Sequence, residues 1–342
     1  MPDASASRFS VLDLSPIPSG STARQALANS LDLARQTERL GYHRYWVAEH
    51  HNMPGIASSA PAVLIGHLAD VTTTMRIGSG GVMLPNHPPL VVAEQFGMLE
   101  ALHPGRIDLG LGRAPGTDRA TAAALRRGVD ALSDEDFPEQ LGQLLAFFGG
   151  SFPDFHPYRS ITAVPGHGLM PSVWLLGSSG YSAQVAGMLG LPFAFAHHFM
   201  PQNTEAAIAL YRERFRPSQV LDAPYAMVGA AVVAADTERE ARHLQGSMKL
   251  SMLRLRSGRP GPLPSPEEAA SFAYTPSEQA MADSSTASHI VGDPEQVRSG
   301  LDELVSRSGA DEVMVTSNLY DHGDRVRSYH MVAEVMRAQV VA

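Results

Sequence analysis

"RIGSGGVMLPNHPPLVVAEQFGMLEALHPGRIDLGLGRAPG" (76–116) contains a strand, a helix and a second strand in immediate succession. "RIGSGGVMLP" (76–85) is a short apolar run ended by a proline, as expected of a buried strand. A helix near 88–102 leads into "RIDLGLGRAPG" (106–116), again apolar along its length. Strands this continuously apolar fit a parallel sheet covered on both faces.

The same alternation extends in both directions. Upstream, "FSVLDLSP" (9–16) is a first strand and 22–41 a helix, with Ala26, Leu27, Leu31, Ala34 and Leu40 at helical spacing. "YWVAEHH" (45–51) is the next strand, and a helix follows near 58–71. Downstream, helices near 119–131 and 136–147 precede an irregular excursion at 152–171. Further strands are predicted at 173–180, 192–199, 226–236 and 311–320. Helices are predicted at 181–189, 204–215, from Thr237 onward, at 293–309 and at 324–340. Residues 256–285, rich in Pro, Gly, Ser and Ala, form a loop or partly helical lid insertion. Eight strands separated by helices predict a single α/β domain over 1–342, a (β/α)8 TIM barrel. A doubly wound sheet would carry G-x-G-x-x-G after its first strand. "LDLSPIPSGS" has no such motif, and the look-alike "GLGRAPG" (110–116) follows the fourth strand.

Composition narrows the function classes. An apolar fraction of 44% with 18% charged residues fits a globular enzyme. A net charge of −9 disfavours nucleic acid and anionic membrane as partners. The chain has no cysteine, which excludes disulfides, thiolate metal sites and a cysteine nucleophile. "MPDASASRF" lacks the regions of a signal peptide and no apolar run reaches membrane-spanning length, so a cytoplasmic location is expected.

Barrel enzymes act at the C-terminal ends of their strands. Polar groups recur there: Asp13 and Ser15; Glu49, His50 and His51; Asn86 and His87; Arg113; Gly177 to Gly180; His197 and His198. Adjacent residues of a regular strand face opposite ways, so neither histidine pair can present both rings to the lumen, and no metal site is expected. His50 is expected to face the substrate, with Glu49 supporting the structure behind it. "GSSG" (177–180) offers Ser178 and Ser179 at a helix start, which suits either a phosphate cradle or a plain turn with an N-cap. Arg113 could reach such a phosphate or form a salt bridge at the barrel mouth. Gly80 and Gly81 interrupt a buried strand, marking a bulge or the close approach of a planar cofactor. Trp174, Phe193, Phe195 and Phe199 suit core and pocket walls.

Three stretches together, "GYHRYWVAEHHNMPG", the 76–118 run and "VWLLGSSGYSAQVAGMLGLPFAFAHHF", resemble the bacterial-luciferase-like flavin monooxygenase family. The likeness runs through roughly 9–235, with "VGDPEQV" (291–297) and the last strand extending it, and is nearer to the non-luminescent members than to luciferase. It implies a TIM barrel that uses reduced FMN or, in sister groups, the deazaflavin F420. It places His50 where luciferase has a histidine important for flavin oxygen chemistry. It aligns Gly80 and Gly81 with a pair joined by a non-proline cis peptide beside the flavin. It puts Gly177, Ser178, Ser179 and Arg113 in regions that contact the cofactor phosphate. Luciferase carries a reactive cysteine just before that arginine; Gly112 stands there in this chain, so no thiol role carries over.

The expected activity is therefore an FMN-dependent monooxygenation of a small organic substrate by O2, with His50 managing a proton and the 256–285 lid closing over the site. A separate flavin reductase is a possible partner, and the resemblance implies a homodimer. An F420-dependent hydride transfer and a noncatalytic flavin-binding barrel are the alternatives.

Overall fold

The structure, a computed structural model, describes residues 8–126 and 136–340. The last part of the helix expected at 119–131, and most of the stretch read for a signal peptide, lie outside those residues.

The first half comprises β1 (Arg8–Asp13), α1 (Ala23–Arg39), β2 (Arg44–Val47), α2 (Pro61–Asp70), β3 (Arg76–Met83), α3 (Pro89–Leu102), β4 (Ile107–Gly112), α4 (Arg119–Arg126) and α5 (Phe137–Phe148). Next come β5 (Ser172–Gly177), α6 (Gly180–Leu189), β6 (Phe193–Phe195), α7 (Thr204–Arg214), β7 (Ala226–Ala234) and α8 (Glu238–Arg256). The chain ends with α9 (Pro266–Ser271), α10 (Pro276–Thr286), β8 (Ile290–Gly292), α11 (Pro294–Ser308), β9 (Glu312–Thr316) and α12 (His322–Val340).

β1 to β7 follow one another in parallel pairs, β9 joins β7 to β1, and a β6–β7 pairing closes the ring. Eight strands thus form the (β/α)8 TIM barrel that the alternation predicted. β8 is an additional strand of three residues, paired with the extension of β7 at Val232–Ala234. It is too short for its apolar pattern to stand out from the flanking loop.

The predicted strands overshoot. β1 stops at Asp13, β2 at Val47, β6 at Phe195 and β9 at Thr316, several residues before the ends read from apolar content. The additional residues are loop rather than ladder; after β1, β2 and β9 they are buried or half-buried, so hydrophobicity did not reveal the boundary, whereas after β6 the apolar Phe199 is exposed. Residues 256–285 are partly helical, as expected. Ser265 caps α9 by accepting the Glu268 N–H, and Thr275 with Glu278 forms a capping box on α10.

The main core lies between strands and helices, built on Phe9, Val11, Leu33, Ile65, Ile77, Phe96, Leu109 and their neighbours. A smaller cluster inside the barrel contains Leu12, Trp46, Trp174, Met227 and Met314, with the two tryptophan rings edge to face at 5.2 Å. Below these rings the lumen is filled by charge. Arg44 donates to Asp108 Oδ2 and Glu312 Oε1, each at 2.8 Å, and its guanidinium lies 4.7 Å from the Trp174 ring centre. Trp46 Nε1 donates to Asp108, Tyr225 to Glu312, and Arg76 to Asp108. Two carboxylates between two arginines leave no uncompensated charge in the barrel floor.

Candidate functional site

A cavity of about 420 Å³ opens at the C-terminal strand ends. β2 brings His50 into it. Trp46, Ala48 and His50 all line the cavity, so the two-residue alternation of β2 continues three residues beyond the hydrogen-bonded strand. Nδ1 of His50 donates to the Gly116 carbonyl at 3.3 Å, which leaves Nε2 with its lone pair. Burial is the largest influence on the ring and lowers its pKa, against an opposing pull from Gly116 and Glu49. His50 is thus held mainly neutral.

Glu49 faces the other way and is fully buried. Oε1 accepts Nε2–H bonds from His51 and His87, both at 2.9 Å, and Oε2 accepts the Met83 N–H at 3.2 Å. Burial would raise this carboxyl, but the bonds from His51 and His87 outweigh it and hold the pKa at about 2. His51, Asn86 and His87 therefore support the wall behind His50. Asp13 and Ser15 are also outside the cavity lining. Asp13 is fully buried, holding Arg325 at 2.6 Å and Tyr45 at 2.6 Å, and so ties β1 to α12.

The second histidine pair divides in the same way. His198 lines the main cavity, while His197 turns to Thr204 at 2.8 Å and lines a separate, smaller pocket. Among the described residues no group of three or more His, Asp or Glu side chains is arranged so that it could hold a metal ion.

Gly80 and Gly81 are joined by a cis peptide bond. The β3–β4 register shifts between Gly80 and Val82, so the expected bulge is present. Gly80 lines the cavity. Gly81 does not; a Cβ there would lie 2.4 Å from Leu176 Cδ1 of β5 and 2.8 Å from the Gly110 carbonyl oxygen of β4, so its side-chain direction is filled.

Gly177, Ser178 and Ser179 also line the cavity, and Ser179 precedes the first turn of α6 with its hydroxyl unused as a cap. Arg113 lies on the same lining, its guanidinium 4.6 Å from the Tyr181 ring centre. Among the described residues no carboxylate pairs with it. A stacked guanidinium on the same cavity lining as two serine hydroxyls and the start of a helix suits a phosphate.

Three contributions were missed in the sequence. α8 lends Met248, Met252 and Leu255, whose spacing could equally mark a helix packed in a core. β9 and the turn after it lend Thr316 and Asn318, and His289 reaches in just before β8. Pro260, Gly261 and Leu263, from the 256–285 segment expected as a lid, also line the cavity. Leu263 is tied on both sides, donating its N–H to Ile17 and accepting that of Ser19, each at 2.8 Å.

Residues 7–312 match the model of a family described as luciferase-like monooxygenase. A luciferase-like monooxygenase of Escherichia coli (strain K12) is 51% identical over 96% of each chain. An N-acetyl-S-alkylcysteine monooxygenase of Bacillus subtilis is 34% identical over 97% of this chain and 98% of its own. The crystal structure of apo-MsnO8 superposes with a TM-score of 0.85 at 36% identity, covering 97% of this chain and 98% of that one. Two more distant barrels share the fold. One is the oxygenating constituent of 3,6-diketocamphane monooxygenase in complex with FMN (17% identity, TM-score 0.71, 96% and 97% covered). The other is an F420-dependent secondary alcohol dehydrogenase (14% identity, TM-score 0.67, 97% and 99% covered).

Proposed function

The chain belongs to the luciferase-like monooxygenase family, and within it we propose an FMN-dependent enzyme that uses O2 to oxidise a small organic substrate. The observation that carries the reading is Arg113, free of any carboxylate among the described residues and placed with Ser178 and Ser179 on the same cavity lining. These three, with the first turn of α6, would hold the cofactor phosphate, and the Gly80 backbone would border the ring.

Bound there in reduced form, FMN supplies the dioxygen chemistry. The protein's own part is to orient, shield and manage a proton. His50 offers a neutral Nε2 that can take up a proton from the reacting centre or hold one for it. Met248, Met252 and Leu263 keep the space above it apolar, and closure of the 256–285 segment excludes water.

Anaerobic titration with reduced FMN and with F420 tests this reading. Tight, saturable binding of reduced FMN, followed by substrate-dependent O2 uptake, is expected. Preference for F420 with no O2 uptake would replace monooxygenation by hydride transfer. Uptake of FMN without any substrate-dependent reaction would leave a binding protein.

We further propose a cytoplasmic enzyme supplied with reduced FMN by a separate reductase and paired as a homodimer. Val63 on α2 and Met98 and Leu102 on α3 are 66%, 53% and 66% exposed, forming an apolar face that suits a second copy. Sedimentation velocity should show a dimer that Leu102→Glu weakens.

A further inference from the structure

One carbonyl holds His198 twice. The His198 backbone N–H donates to Gly229 O at 3.0 Å, and Nδ1 lies 2.9 Å from the same oxygen. A carbonyl oxygen can only accept, so Nδ1 carries the proton and Nε2 keeps its lone pair. β7 is shaped for this ring: a Cβ on Gly229 would sit 2.9 Å from His198 Cε1 and Nδ1. The Phe199 ring packs against the imidazole with centroids 4.3 Å apart. Burial, reinforced by the neighbouring His197 and His50, lowers the His198 pKa to about 4, so the ring is uncharged at neutral pH. Among the described residues Nε2 has no hydrogen-bond partner, and the side chain lines the cavity.

The surroundings limit what can meet that nitrogen. Phe199, Met227, Met248 and Met252 make the lining largely apolar. Among the described residues Arg113 is the one arginine or lysine of the lining, and no aspartate or glutamate contributes to it. A carboxylate brought to His198 would face a lone pair, lose its hydration and find no cation beyond the arginine already assigned to a phosphate. A hydroxyl or N–H would find a preoriented acceptor.

We propose that His198 is a specificity-determining residue whose Nε2 accepts a hydrogen bond from the hydroxyl or N–H of an uncharged, largely apolar substrate, and that it disfavours anionic ones. The inference rests on reading the cavity as a substrate site but not on the identity of the cofactor.

Three probes of equal chain type separate the possibilities: 1-octanol, 1-methoxyoctane and octanoate, titrated calorimetrically into the full-length protein at neutral pH. 1-Octanol should bind about tenfold more tightly than the ether, which has no donor. Octanoate should bind most weakly. His198→Phe, which keeps a ring and removes both nitrogens, should erase the alcohol-over-ether ratio. His198→Gln, which keeps an acceptor at the end of the side chain, should restore part of it. In 15N spectra, 1-octanol should shift His198 Nε2 and leave Nδ1 in place. An unchanged ratio in His198→Phe, tightest binding by octanoate, an unmoved Nε2 signal or no binding of any probe would each overturn the proposal. FMN affinity, followed separately by flavin fluorescence, keeps the two readings apart. Intact FMN binding with a failed ranking rejects His198 alone, while the expected ranking without FMN binding rejects the flavin reading alone.

Discussion

The Glu49 carboxylate accepts the Nε2–H of His51 at 2.9 Å, directly behind His50 and on the opposite face of the chain. The neighbour of the proposed catalytic residue is thus an anchor. Replacing Glu49 with Ala leaves the His51 and His87 donors and the Met83 N–H without their acceptor, and should cost about 2–4 kcal/mol of stability. Calorimetric unfolding checks this. The pH dependence has a definite sign. The folded carboxyl sits at about 2, below its ordinary 4.5. Its stabilisation is complete above the ordinary value and disappears as pH falls toward 2. Glu49→Gln should remove that part of the acid limb.

His50→Ala should lower substrate oxidation about a hundredfold while FMN affinity changes little, because the ring is expected to handle a proton rather than hold the cofactor. Single-turnover kinetics with pre-reduced FMN separates the two effects. Unchanged turnover rules out the role.

Arg113→Leu should weaken FMN about ten- to a hundredfold and leave riboflavin, which has no phosphate, nearly unaffected. Parallel fluorescence titrations with the two flavins measure it. Equal losses for both would place Arg113 on the ring instead of the phosphate.

Leu263→Pro deletes the N–H that reaches Ile17, one of the two ties that hold the segment in place. Hydrogen exchange in 256–286 should rise, and more of the consumed O2 should appear as hydrogen peroxide rather than product. A peroxide yield equal to that of the parent protein would show that the segment does not shield the site.

The barrel was legible from the succession of apolar strands and helices, and one wall of its cavity from the two-residue alternation along a strand. Alternation along "YWVAEHH" separated His50 from His51, and the structure puts His50 on the cavity lining, past the point where the ladder ends. The paired glycines were equally legible, since a missing side chain in a buried strand needs a spatial reason. Asp13 does end β1, but its turn away from the cavity was not legible: its partner Arg325 lies 312 residues away, a separation no local pattern encodes. The same holds for Arg44 and Glu312, 268 residues apart. Met248 and Met252 were invisible for a different reason, because an apolar helix stripe looks alike whether it meets a core or a ligand. His198 could be paired with a face by alternation, but its tautomer depends on the Gly229 carbonyl from another strand.

The charged floor of the barrel has a consequence for traffic. With Arg44, Asp108 and Glu312 filling the lumen beneath the tryptophans, nothing can leave through the bottom. The cavity above, which Leu263 helps to line, is closed at that end. Two molecules seated in it one behind the other would therefore leave in the reverse of their order of entry.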